Sequence, residues 1–441
     1  MDHLPAEIIA EIFLCGIESL PTTRFRHSLR FRLAVSATWR AVALSTPRLW
    51  SQIILDPYNL ENMSGMRQIQ RWTEPIQTAI QRSANTSLTI RVYTSRSQVQ
   101  LLLTLWDIII PALERCSFLQ IVGHYSTLNE IFPIQQCCPR LQELSIHPKA
   151  QTSAPPPSLL FSSIPSTHKS TFITFAPILQ RIFLGNVCQA SFLSSIPSSA
   201  LLGVTIRLPP VNNDITWECL ANFFLPCADT LQTLHIDGGP PLPPFPSNGS
   251  PILFKRLTSF STDWELFPRY IAAPMLNRLA CIGNAYRFSD KDIAPEWLTS
   301  ADNVSIRELA LSSLTHSHFQ SYGWLPSSLL EHVETLSLPF SLEIVPHLLR
   351  MASETSAELL FPQAQFLRMR AKPSSMKRHD FLEVVESIKG LLQARPALRV
   401  GIMKYDGWSE LKASIPADLL NRIDMLTEWR DTPSLVPLKQ A

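Results

Sequence analysis

The chain has little glycine: 13 of its 441 residues, where average usage is about 7%. Loops that cradle phosphates need glycine for close backbone approach, and neither a P-loop nor a G-x-G-x-x-G spacing occurs. A G-x-S-x-G elbow and an H-E-x-x-H pair are missing too, which removes the commonest hydrolase and zinc-protease signatures. An excess of one charge is also lacking. Lys and Arg number 38 against 36 Asp and Glu, a net of +2, without the concentrated basic surplus of a phosphate-backbone binder. No nucleic-acid partner is expected. The eight cysteines show no C-x-x-C, and Cys137 and Cys138 are adjacent, a poor chelating arrangement. They read as small hydrophobes in a reducing compartment. His316 and His318 have no carboxylate or thiolate at useful spacing. No metal, cofactor or catalytic residue is assigned.

Long apolar runs are absent as well. The longest, "VQLLLTLWDIIIPAL", is broken by Asp107 and Pro111 and is too short to span a bilayer. The opening "MDHLPAEIIAEIFL" is acidic where a secretory leader is basic. These readings predict no membrane association and a cytoplasmic or nuclear location. Proline, by contrast, is plentiful at 36 residues, which predicts many short elements, each stopped by a residue that continues neither a helix nor a central strand.

Large apolar side chains crowd the first fifty residues. "LPAEIIAEIF" predicts a helix whose Ile8, Ile9, Ile12 and Phe13 share a face, with Pro5 in the first turn. A second helix is predicted over Leu29–Leu44, with Val35, Trp39 and Val42 on one stripe. Pro47 then forces Thr46 out of the helix, and the Thr46-Pro47 pair is expected to cap a last turn presenting Leu49 and Trp50. So small a unit cannot hide this much apolar surface alone. The surplus points to a partner, or else to a private core against the following domain.

The order of these residues, "LPAEIIAEIF" followed by "VSATWRAVALSTPRLWSQI", resembles an F-box, particularly that of the F-box proteins abundant in mushroom-forming fungi. The resemblance implies binding to the adaptor subunit of an SCF-type ubiquitin ligase, and through it to a cullin. Carried over position by position, it implies adaptor contacts by Leu4, Pro5, Ile8, Ile12, Phe13, Val35, Trp39, Leu49 and Trp50. This sequence departs from the motif in reading "VSATW" for V-C-R-x-W, and its two halves are joined by a longer link that contains "RFRHSLRFR".

Beyond this module an apolar triplet recurs at positions 1, 4 and 6: "LQELSI" from Leu141, "LQRIFL" from Leu179, "LQTLHI" from Leu231, "LNRLAC" from Leu276, "IRELAL" from Ile306 and "VETLSL" from Val333. Weaker copies begin at Leu113, Leu201, Leu257 and Ala364. Their mean spacing of roughly 28 residues and the L-x-x-L-x-L pattern are those of leucine-rich repeats. The triplets are expected to be core. The recognition surface is expected on the alternating strand residues, among them Gln142, Glu143 and Ser145, Gln180, Arg181 and Phe183, Gln232, Thr233 and His235, and Arg307, Glu308 and Ala310.

The predicted fold is therefore α/β: a small all-α F-box (1–54), a helical linker (55–84) with a break at Pro75, an irregular leucine-rich-repeat solenoid (85–404), and a C-terminal helical cap and tail (405–441). The function this implies is a non-catalytic substrate receptor of an SCF-type ligase, the repeats recruiting an unknown target protein. The alternative is a repeat scaffold without ligase coupling.

Overall fold

A computed structural model of the chain describes residues 4–18, 36–55, 66–94, 99–124, 128, 137–149, 176–186, 193, 196, 198–208, 215–238, 251–262, 271–281, 306–311, 332–340, 363–371, 378–403 and 415–426. They form a mixed α/β structure dominated by parallel sheet and divide into two compact units, Met1–Pro226 with Val436–Ala441, and Cys227–Leu435.

The first unit opens with helices α1 (Ala6–Glu18) and α2 (Ala37–Ser45) and a 3-10 turn, Pro47–Trp50. Strand β1 (Gln52–Leu55), helix α3 (Met66–Arg82), strand β2 (Leu88–Tyr93) and helix α4 (Val99–Ile109) follow. Four more strands complete its ladder: β3 (Cys116–His124), β4 (Glu143–Lys149), β5 (Arg181–Leu184) and β6 (Gly203–Leu208). They lie side by side in chain order, every pair parallel.

The apolar triplets explain this register. Leu119, Leu144, Ile182 and Val204 are successive register partners, and so are Ile121, Ile146, Leu184 and Ile206. All eight are buried, so two aliphatic columns run across the strands beneath the sheet. A one-residue slip would move every member of a column to the other face. The first triplet residue closes a turn just before β4, β5 and β6: Leu141 N–H to the Cys138 carbonyl (3.1 Å), Leu179 to Ala176 (3.2 Å) and Leu201 to Ser198 (3.2 Å). The next residue bonds back to the preceding strand segment: Gln142 to the Ser117 carbonyl (2.9 Å), Gln180 to Gln142 (2.9 Å) and Leu202 to Gln180 (2.8 Å).

The second unit repeats the scheme with strands β7 (Thr233–Gly238), β9 (Ser259–Thr262), β11 (Arg278–Cys281), β12 (Glu308–Leu311), β13 (Thr335–Phe340), β14 (Phe366–Ala371), β15 (Arg399–Met403) and β16 (Ile423–Leu426). Adjacent members pair in parallel. Leu234, Phe260, Leu279, Leu309, Leu336, Leu367 and Val400 form one buried column. The two short strands β8 (Ile252–Leu253) and β10 (Ile271–Ala272) pair separately. Helix Arg378–Ala394 is closed by Arg422, whose guanidinium donates to the carbonyl of Leu392 in its last turn (2.8 Å) and to that of Leu398 beyond its end (2.7 Å); a cation suits the free carbonyls of a helix C-terminus.

Four details differ from the sequence reading. The triplet placed at Leu113 sits three residues later. Cys116, Leu119 and Ile121 hold the strand positions, with buried Cys116 standing in for the leucine. Strand β1 lies across the boundary drawn at residue 54, because Ile53 and Leu55 pair with Ile90 and Val92 of the sheet. The segment after residue 404 is not only a helical cap, since β16 extends the ladder with Ile423 beside Val400. Pro75 does not break the helix. Trp72 and Ile76, one turn apart and both buried, hold α3 continuous across it. Arg115 caps the end of that helix on the Ile80 carbonyl (3.0 Å) and the Ser83 hydroxyl (3.2 Å). The scarcity of glycine shows here too: Ala84, just past the helix, holds a left-handed φ of 46° that glycine would adopt more readily.

One glycine does have a specific reason. Gly123 in β3 lies against Thr94, whose N–H donates to the Val122 carbonyl at 2.7 Å. A Cβ at Gly123 would stand 1.8 Å from Thr94 Oγ1 and 2.9 Å from its Cβ. Gly123→Ala should therefore destabilise the first unit by about 1–3 kcal/mol through overpacking. Urea denaturation should show part of that loss recovered in the Gly123→Ala, Thr94→Ala double variant, which removes the 1.8 Å contact and keeps the 2.9 Å one.

Candidate functional site

Helix α1 carries two apolar stripes, and the structure treats them differently. Pro5 precedes its first turn, its carbonyl accepting from Ile8 and Ile9 N–H at 3.1 Å. Ile9 and Phe13, one turn apart, are fully buried with Leu14, Val42, Ala43, Leu49, Trp50 and Ile54 in one cluster. Ala79 of α3 and Tyr93 of β2 pack on it, so the two N-terminal helices share a core with the start of the sheet. Leu4, Ile8 and Ile12, at i, i+4 and i+8, form the second stripe and stay 39%, 48% and 45% exposed. Apolar side chains at that spacing normally face a core. Here they face outward.

The inner packing is specific. Phe13 meets Trp39 edge-to-face, ring centroids 5.3 Å apart at 84°, a favoured aromatic geometry. The Trp50 indole N–H donates to the Ala43 carbonyl at 2.8 Å, and the Arg82 guanidinium lies 4.6 Å above its ring. Helix α2 starts at Ala37 because Ser36 caps it, the Ser36 hydroxyl accepting from Trp39 N–H at 3.2 Å with Ser36 itself extended. Of the helix predicted over Leu29–Leu44, the described residues show Ala37–Ser45. Residues 29–35, Val35 among them, lie outside the described residues. Thr46 does leave the helix, but its hydroxyl turns back to the Val42 carbonyl (2.7 Å) and caps nothing ahead of it.

The expected adaptor contacts thus separate. Leu4, Pro5, Ile8 and Ile12 are exposed, whereas Phe13 and Leu49 are at most 1% exposed and Trp50 is buried at 9% exposure. Trp39 is half-buried against Phe13. Glu11 and Arg48 add an exposed ion pair of 3.5 Å beside the stripe, worth about 0–1 kcal/mol. The sequence grouped Ile8, Ile9, Ile12 and Phe13 on one face, and only the packing tells inner from outer.

The strand residues expected to form a recognition surface are also sorted. Gln142, Gln180, Arg181, Gln232 and Arg307 are exposed, and Glu143, Thr233, Phe183 and Glu308 half-buried. Ser145, His235 and Ala310 are buried instead. Parallel strands about 4.8 Å apart set register partners shoulder to shoulder, and small side chains in such a row cover one another. Charged residues at the strand starts pair across the ladder: Glu143 with Arg181 (2.7 Å), Arg278 with Glu308 (3.7 Å), Arg307 with Glu334 (3.4 Å). These cross-strand pairs favour the observed register by fractions of a kcal/mol each.

In the first unit His147 lies flat on Phe183, centroids 4.2 Å apart at 25°, with Nε2 2.8 Å from the Ser145 hydroxyl. Gly185 leaves room for the ring, since a Cβ there would stand 3.1 Å from His147 Nδ1. Burial, and secondarily the nearby Arg207 cation, push the imidazole pKa down to about 4. An unfolded histidine titrates near 6.5. As pH falls from about 6.5 towards 4 the unfolded chain takes up this proton and the folded chain does not. The contribution of His147 is therefore complete above that window and is lost through it. Unfolding midpoints in urea should drop between pH 7 and pH 5, by about 2 kcal/mol at most for this residue, and the drop should shrink in His147→Gln.

Burial also pushes the Cys138 thiol up to about 11 and the Cys227 thiol up to about 12, and it raises Cys116 further. None of these three is an activated nucleophile. Among the described residues no group of three or more His, Cys, Asp or Glu could hold a metal ion, and no helix is long and apolar enough to cross a membrane. His316, His318 and the "RFRHSLRFR" segment lie outside the described residues. No protein-family model and no curated protein matches the chain.

Proposed function

We propose that the chain is a substrate-receptor subunit of an SCF-type ubiquitin ligase. In this reading α1 and α2 form an F-box whose Leu4–Ile8–Ile12 stripe docks on the adaptor, which is tied to a cullin. The sheet strands form a leucine-rich-repeat solenoid that holds a target protein. The observation that carries the reading is the exposed aliphatic stripe, set on a helix whose other face is fully packed. Support for the repeats comes from the buried column across the parallel strands and from the turn and back-bonded residue that recur before several of them. The chain contributes no catalytic group. A bound target is held near a charged ubiquitin carrier, and its effective concentration there rises.

One observation favours a second reading, a repeat scaffold without ligase coupling: Phe13, Leu49 and Trp50 are used in the chain's own core. Co-purification of the full chain with a purified SCF adaptor tests the two. Capture that depends on the stripe supports the receptor, and its absence from a folded chain leaves the scaffold.

A further inference from the structure

Strand β1 stands at one end of the strand order, with a neighbour on its β2 side only among the described residues. The end of a repeat ladder has no next repeat to cover it and needs a capping element. Ile53, Ile54 and Leu55 of β1 are nevertheless all buried. Ile53 and Leu55 join the aliphatic columns through Ile90 and Val92. Ile54 pairs with Arg91 and, by the alternation of a strand, stands on the opposite face. There it belongs to the cluster of Ile9, Phe13, Leu49 and Trp50. Further contacts tie the helices to the sheet itself. Tyr93 of β2 packs on the same cluster, and its hydroxyl donates to Gln120 Oε1 of β3 at 3.4 Å. The Ser51 carbonyl, just after Trp50, accepts from Thr89 N–H of β2 at 2.9 Å. Arg82 of α3 covers the Trp50 ring.

We propose that α1 and α2 are the end cap of the first unit's ladder and open together with β1 and β2, so that a protein seated on the outer stripe of α1 also stabilises the start of the sheet. The cap is independent of what docks, whereas stabilisation by a docked adaptor rests on the receptor reading. Helices joined to the sheet by a bare linker would open alone, because cooperative units follow shared packing. Here Phe13 and Ile54 lose the same core when either element leaves. Linkage fixes the sign of the docking effect. A ligand that binds only the packed helix favours everything that must be packed with it.

The test is hydrogen exchange of the full chain, read by mass spectrometry on peptides covering α1, α2, β1 and β2, with β13 and β14 of the second unit as reference. Phe13→Ala should speed exchange in β1 and β2 at least about tenfold, along with α1 and α2, and leave the reference at parental rates. If that variant fails to fold, Phe13→Leu should show the same pattern at about threefold. Coupling is reciprocal, so Tyr93→Ala in β2 should speed exchange in α1 and α2. Faster exchange confined to α1 and α2 in the Phe13 variants, or confined to β2 in Tyr93→Ala, would overturn the proposal. Purified SCF adaptor at about 100 times its Kd should slow β1 and β2 at least about tenfold, and protection confined to α1 would sink the linkage. Should the adaptor not bind, the receptor reading fails, and exchange in the free chain still decides the cap.

Discussion

Replacing Leu4, Ile8 and Ile12 together with serine should abolish capture of the SCF adaptor and leave the melting transition of the chain where it was. The three side chains are 39–48% exposed, so about half of each is available to a partner. Full burial of a large aliphatic side chain is worth roughly 1.5–3 kcal/mol. Half of it gives about 1 kcal/mol each, and three lost anchors weaken binding by about a hundredfold or more. Folding should not follow. None of the three belongs to the buried cluster, Leu4 precedes the helix, and serine and isoleucine have similar helix propensity. Calorimetric titration with the adaptor, beside a thermal melt, reads both effects. Unchanged affinity in the triple variant would remove the stripe from the interface and the receptor reading with it.

The contrast between the two stripes of α1 marks where the sequence stops being informative. The columns of the sheet were legible because burial there alternates along each strand and recurs from strand to strand. A leucine at position 1, 4 or 6 has no place but the core, and Leu144, Ile182 and Leu309 are at most 1% exposed. The helix stripes were not, since Ile8 and Ile9 are equally apolar and periodicity sees only their angle. Which of them faces in depends on Val42, Ala43, Leu49 and Ile54 arriving from elsewhere in the chain. The displaced triplet has a similar cause. Leu113 and Cys116 are both fully buried, and pattern alone prefers the leucine. Pro75 misled for a third reason, in that propensity weighs the lost hydrogen bond but not the packing of Trp72 and Ile76 on either side.

Phe13→Ala should look the same as the stripe variant in a binding assay and differ from it in every measure of folding. Phe13 is fully buried among Ile9, Val42, Ala43 and Leu49 and sits edge-to-face on Trp39. Truncating a buried phenylalanine costs about 3–5 kcal/mol, as lost transfer energy plus the cavity left behind. The edge-to-face contact adds about 0.5–1.5 kcal/mol to what is at risk. That loss falls on two short helices whose stability comes from packing and little from propensity. Hydrogen exchange should accelerate across α1 and α2, and the urea midpoint of the N-terminal segment should fall. Adaptor capture should then disappear because the stripe is no longer held in helical register. Trp39→Ala belongs with this variant, since Trp39 leans on Phe13. A binding loss in Trp39→Ala alone would therefore be poor proof of a docking contact. If Phe13→Ala keeps its exchange protection and unfolds within about 1 kcal/mol of the parent chain, the private core described for α1 is wrong. Phe13 would then return to the set of residues offered to a partner.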